Sequence, residues 1–257
     1  EDPETVRNLT CAYEKGISRA NLLTCAKHFP GHGNSEVDSH LDLPLIQSDL
    51  SELEKFELIP FKSLLKQGVN SVMIGHLFFP NIDPLYPATL SKKIVDDLLR
   101  IQFKFDGLVV TDALVMKSIT NKYGSGEAAV KAFDAGIDLL LMPEDINAAI
   151  NSLTEAFYSG KIPLERLYKS RERRKKQLDF INNKNDVTKE LFNNISINNK
   201  YSGKISEFSK FIIQDSIYIR NSSIEKVDFN DINLIQLECF DQLNSRSSPA
   251  LSLPEKV

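Results

Sequence analysis

Apolar residues in this chain switch repeatedly between a helical and a strand spacing. Residues 5–17 place Val6, Leu9, Tyr13 and Ile17 at helical intervals, with Gly16 near the end. The continuous apolar run Leu22-Leu23-Thr24-Cys25-Ala26 then predicts a short buried strand, with Cys25 in the core. A second helix is expected over 51–67, interrupted at Pro60 and stopped by Gly68. Residues 69–76 predict a second strand. A turn-rich segment over 79–84 precedes a helix capped by Ser91 and reaching about Phe103. Residues 107–112 form a third apolar run that ends on a carboxylate, Asp112. A helix over 127–135, closed by Gly136, leads to a fourth run at 137–142 that ends at Pro143. Two further helices are expected over 145–158 and 164–181. Residues 182–204 are rich in Asn, Lys and Ser with little apolar period, which reads as a linker. A helix over 205–213 and strands at 216–220 and 232–240 follow it.

Apolar strands each followed by a helical pattern define an α/β protein built from parallel βα units. Lys27, His28, His76 and Asp112 all gather at the ends of strands. In a (β/α)8 TIM barrel that is the face carrying the active site. Four units make either a small open sheet or half of a closed barrel. The opening Glu1-Asp2-Pro3-Glu4 has neither an initiating Met nor a signal-peptide pattern, which favours the second expectation. The expected organisation is a partial TIM-barrel catalytic domain over 1–181, lacking its N-terminal strands, then a linker over 182–204. The beginning of a truncated C-terminal α/β domain would occupy 205–257.

The densest chemistry lies in Ala26-Lys27-His28-Phe29-Pro30-Gly31-His32-Gly33, continuing to Asp38-Ser39-His40. This stretch holds three of the chain's four histidines. Three readings stand side by side. His28, His32, Asp38 and His40 are plausible zinc ligands. Alternatively Asp38 and His40, at i and i+2, project to the same side of an extended segment, where the carboxylate can fix the imidazole tautomer and raise its basicity. The third reading is a set of loop histidines satisfied by nearby carbonyls.

Composition narrows the partners. The chain has 257 residues, 26% charged, with formal net charge -4, so no electrostatic case for nucleic acid arises. The one basic cluster, Arg171-Glu172-Arg173-Arg174-Lys175-Lys176, falls in a helical pattern and reads as a solvated face. No apolar run approaches the roughly twenty residues needed to span a bilayer. Cys11, Cys25 and Cys239 are scattered and show neither a disulfide framework nor zinc-knuckle spacing.

Several long stretches together resemble the glycoside hydrolase family 3 β-N-acetylglucosaminidases of the NagZ type. They are Lys27-His28-Phe29-Pro30-Gly31-His32-Gly33, Asp38-Ser39-His40-Leu41-Asp42-Leu43-Pro44 and Val110-Thr111-Asp112-Ala113-Leu114-Val115-Met116. Pro87-Ala88-Thr89-Leu90-Ser91, Phe105-Asp106-Gly107-Leu108-Val109 and 126–130, leading to 135–143, support them. The resemblance implies a TIM barrel and a retaining exo-β-N-acetylglucosaminidase acting in peptidoglycan turnover. It places the nucleophile on Asp112, the acid/base on His40 paired with Asp38, and sugar binding on Lys27 and His28. The implied substrate is a GlcNAc-containing glycan or muropeptide, with no cofactor and no metal. The family's other binding residues come from earlier strands, so this chain alone is expected to be inactive. A β-N-acetylglucosaminide phosphorylase or a β-glucosidase-like member are alternatives within the family. A metal-dependent hydrolase or an inactive fragment are alternatives outside it. Plainer roles also apply: a strand-end Asp112 could cap the next helix, His32 could hold the loop, and Asp42 and Asp49 suit turns or caps.

Overall fold

The structure is a computed structural model, and its described residues are 2–33 and 43–182. Asp38, His40 and Asp42, the linker over 182–204 beyond its first residue, and the strands and helix expected within 205–257 lie outside them.

Helix α1 (Pro3–Arg19) starts at Asp2, whose carboxylate accepts from the Glu4 and Thr5 N–H groups. It lies against α3 (Leu58–Gln67), and the Gln67 amide reaches back to the Cys11 carbonyl at 2.8 Å. Strand β1 (Cys25–Phe29) follows α1 in the chain. Helix α2 (Leu50–Lys55) opens with a capping box between Asp49 and Glu52, as the expected cap role of Asp49 requires. The expected interruption at Pro60 is not there. The break falls at Phe56–Glu57, and Pro60 sits in the first turn of α3, where a missing N–H costs no hydrogen bond. Gly68 ends α3 in the left-handed conformation, φ 95°.

Strands β2 (Ser71–Ile74) and β3 (Leu108–Thr111) complete a parallel sheet in the order β1-β2-β3. All four β3 residues are buried, as a parallel strand covered on both faces requires. The fourth expected strand is reduced to one bridge, Leu139 to Val110. A side chain takes over from the ladder there: the Thr111 hydroxyl accepts from the Leu141 N–H at 2.9 Å.

Between β2 and β3 lies a wide-turn π-helix (Lys93–Gln102), closed by a Phe103 N–H to Leu98 carbonyl bond of 3.0 Å. Ser91 precedes it, accepting from the Ile94 N–H and donating to Asp83. The helix expected from residue 127 begins earlier, giving α4 (Lys117–Ala135) with a non-helical Gly124. Ile119, packed with Leu114 and Ala128, holds that early turn. Helices α5 (Ile146–Tyr158) and α6 (Leu164–Asn182) follow, close to expectation.

The main core centres on Phe29, fully buried, with Phe61 and Phe103 edge-on at 5.3 and 6.3 Å. Cys25 is exposed, not buried as expected; alternation along β1 buries Ala26 instead. The basic cluster on α6 is only partly a solvated face. Arg173 bonds Asp106 at 3.1 Å and Asp138 at 3.3 Å, while Lys176 bonds Asp106 at 2.7 Å. Asp138 is a buried hub that also meets Arg100 at 2.5 Å, Arg166 at 3.4 Å, Ser170 at 2.5 Å and the Val109 N–H at 3.0 Å. Burial pulls the Arg100 guanidinium down to about 10, against the attraction of Asp138. This hub clamps α6 onto the N-terminal end of the sheet. Among the described residues no helix is long and apolar enough to cross a membrane.

Candidate active site

At the opposite end, sheet register sets the geometry. Phe29 is level with Ile74, and Ile74 with Thr111, so the residues around and just beyond this row share one rim. The Lys27–His28 and Phe29–Pro30 peptide bonds are both cis. Past them the chain turns through Gly31 at φ 130°, where a Cβ would run into the Glu57 side chain. That contact seats the loop after β1 on the start of α3.

Asp112 is the first residue after β3, and its own N–H donates to the Ile74 carbonyl at 3.0 Å. Its Oδ1 accepts from the Ala113 N–H at 2.8 Å, and its Oδ2 lies 3.6 Å from His28 Nε2. The cap of the next helix is Met116, and the helix-capping role weighed for Asp112 is not adopted. The two side chains are 21% and 30% exposed, enough for a ligand to reach both. Carboxylate and imidazole together can engage one polar molecule, the first as nucleophile or acceptor and the second as a hydrogen-bond donor.

Lys27, the middle residue of β1, is exposed and lines a groove of about 350 Å³ with Val6, Tyr13 and Phe61. His32 is exposed, whereas Asp38 and His40 lie outside the described residues. Among the described residues no group of three or more His, Cys, Asp or Glu could hold a metal ion.

His76, at a strand end on the same rim, is a residue to which sequence reasoning assigned no task. It is fully buried, with Nδ1 2.7 Å from the Thr89 hydroxyl and Nε2 3.0 Å from the Ala113 carbonyl. The Thr89 hydroxyl also lies 2.9 Å from the Gly75 carbonyl. The signals were its position at a strand end and the histidine that the resembled family carries there. Its partners are 13 and 37 residues away, beyond any local pattern.

Residues 1–176 match the model of the glycosyl hydrolase family 3 N terminal domain. A beta-hexosaminidase of Neisseria meningitidis serogroup C is 38% identical over 141 residues, which is 55% of this chain and 39% of that protein. The solved glycoside hydrolase family 3 beta-N-acetylglucosaminidase from Paenibacillus sp. str. FPU-7 is 32% identical, with TM-score 0.66 over 92% of this chain and 40% of its own. A solved beta-glucoside phosphorylase, BglX, is 28% identical, with TM-score 0.67 over 71% of this chain and 35% of its own. The chain belongs to glycoside hydrolase family 3. It spans roughly two fifths of the length of these relatives.

Proposed function

We propose that the chain carries the nucleophile half of a retaining exo-β-N-acetylglucosaminidase that removes terminal β-linked GlcNAc, with peptidoglycan fragments as the substrate class. The observation carrying this reading is the 3.6 Å approach of His28 Nε2 to Asp112 Oδ2 at the rim of a parallel sheet. Asp112 attacks the anomeric carbon, its oxygen bonding to that carbon as the bond to the leaving oxygen breaks. His40, oriented by Asp38, gives its proton to the leaving oxygen. The same imidazole then takes a proton from water, which displaces Asp112 and restores the β configuration. A histidine suits both tasks because its unperturbed pKa, roughly 6.5, lies near neutrality. His28 and Lys27 hold sugar hydroxyls.

The strand order supports half of a TIM barrel: each crossover adds its strand to the same edge, with no reversal. Among the described residues the outer edge of β1 has no strand beside it. Earlier βα units of a longer protein would pair there and complete the pocket. The organisation then runs as a partial barrel over 1–181, a linker over 182–204 and a second α/β domain beginning at 205.

A second reading, transfer to phosphate, draws on the likeness to the beta-glucoside phosphorylase. A histidine acid/base does not repel an anionic acceptor as a carboxylate would. The complete protein assayed on an aryl β-GlcNAc glycoside, with and without phosphate, separates the two. Free GlcNAc supports hydrolysis, and GlcNAc 1-phosphate supports transfer. An active Asp112→Asn variant removes both.

A further inference from the structure

We infer that His76 is a positioning residue that sets the aim of the Asp112 carboxylate. The Ala113 carbonyl can only accept, so the ring nitrogen 3.0 Å away carries a hydrogen in every protonation state of His76. That N–H fixes the carbonyl on one side of the Ala113 Cα. The N–H on the other side of the same residue holds Asp112 Oδ1 at 2.8 Å. Ala113 is therefore gripped at both of its peptide groups, and the carboxylate is left to turn only about a fixed Oδ1. Its other oxygen, Oδ2, stays on the His28 side.

The far side of the imidazole is anchored as well. Nδ1 meets Thr89, and the Thr89 hydroxyl lies against the Gly75 carbonyl just beyond β2. Thr89 and His76 are both fully buried, so water does not compete for the bond between Nδ1 and the Thr89 hydroxyl. The linkage ties the tip of β2 to the tip of β3 through one side chain. Because the reacting oxygen must meet the anomeric carbon in line, a small rotation of the Ala113 peptide slows attack without removing a sugar contact.

This inference rests on Asp112 as nucleophile. The test is the series His76→Gln, His76→Asn, His76→Ala and Thr89→Val in the complete protein, with an aryl β-GlcNAc substrate. A glutamine amide can present N–H groups where Nε2 stands, whereas an asparagine amide reaches only the Thr89 side. His76→Gln should keep kcat/KM within about tenfold, while His76→Asn and His76→Ala lose about 10²-fold. Thr89→Val should fall between them. GlcNAc affinity, read by calorimetry, should change little in all four. Equal rates for the Gln and Asn variants would overturn the inference. So would loss of GlcNAc affinity and thermal stability in step with rate, the mark of a merely structural role. Asp112→Asn belongs in the same series. If it is inactive while His76→Asn runs at the wild-type rate, only the positioning role fails; if it is active, the nucleophile assignment fails first.

Discussion

His28 Nε2 and Asp112 Oδ2 meet at 3.6 Å although 84 residues separate them in the chain, one at the end of β1 and the other just past β3. Nothing local brings them together. Their approach is made by two parallel pairings through β2, so the integrity of the site depends on the sheet. Replacing His28 with Ala removes a donor beside the carboxylate and should lower kcat/KM by about 10–10²-fold. Lys27→Ala should raise KM more than it lowers kcat, because the role proposed for Lys27 is to hold a sugar hydroxyl and not to act on the reacting atoms. Steady-state kinetics on an aryl β-GlcNAc glycoside reads both.

The acid/base role proposed for His40 has its own signature. Protonation matters most for a poor leaving group. His40→Ala should therefore slow a methylumbelliferyl or natural glycoside far more than a dinitrophenyl glycoside, by about 10²-fold or more in the difference. Azide, which needs no base, should restore turnover of the dinitrophenyl substrate. Equal losses on both substrates would remove His40 from the acid role.

Stability should turn on the opposite end of the sheet. Asp138 is buried among Arg100, Arg166 and Arg173, and its conversion to Asn leaves three guanidinium groups without their shared counter-charge. Breaking a buried pair from one side typically costs about 3–5 kcal/mol, which urea titration would register as a lower midpoint. A midpoint equal to wild type would mean the hub adds nothing.

Acid should loosen the same clamp. The Asp106 carboxyl is held below the usual carboxylate range, chiefly by the hydrogen bond from Lys176, with burial opposing and Arg173 assisting. A folded-state pKa below the unfolded one means that the contribution is present above the unfolded value, roughly 3.9, and is lost as pH falls through the folded value. Asp106 is well exposed, so the pair is worth under about 1 kcal/mol. Asp106→Asn should flatten the low-pH limb of the melting profile slightly and leave neutral stability almost unchanged. A large neutral-pH loss would contradict this.

Much of the architecture was legible because strong apolar runs and glycine stops mark it. The second and third strands and the Gly68 and Gly136 stops fall where pattern places them, whereas β1 begins three residues later than the apolar run at 22–26. Tertiary contacts decided the rest. Residues 117–126 carry little apolar period, yet Ile119 in the core makes them the first turns of α4. The fourth apolar run pairs at one residue only, since Thr111 and Asp138 side chains take ladder positions. The strand-end position of Asp112 could be read from the apolar run before it and that of His28 from the polar loop that follows it, while the roles proposed for both come from the family resemblance. The partners of His76 and Asp138 could not, because side-chain bonds across tens of residues leave no periodic trace.

The most direct test of the account is to trap the intermediate. The complete protein would be treated with a 5-fluoro GlcNAc glycosyl fluoride, which forms the glycosyl-enzyme faster than water removes it, and then digested and read by mass spectrometry. One sugar equivalent is expected on the peptide that contains Asp112, with none on the corresponding peptide of Asp112→Asn. A label on another carboxylate, or full turnover by the Asn variant, would contradict it.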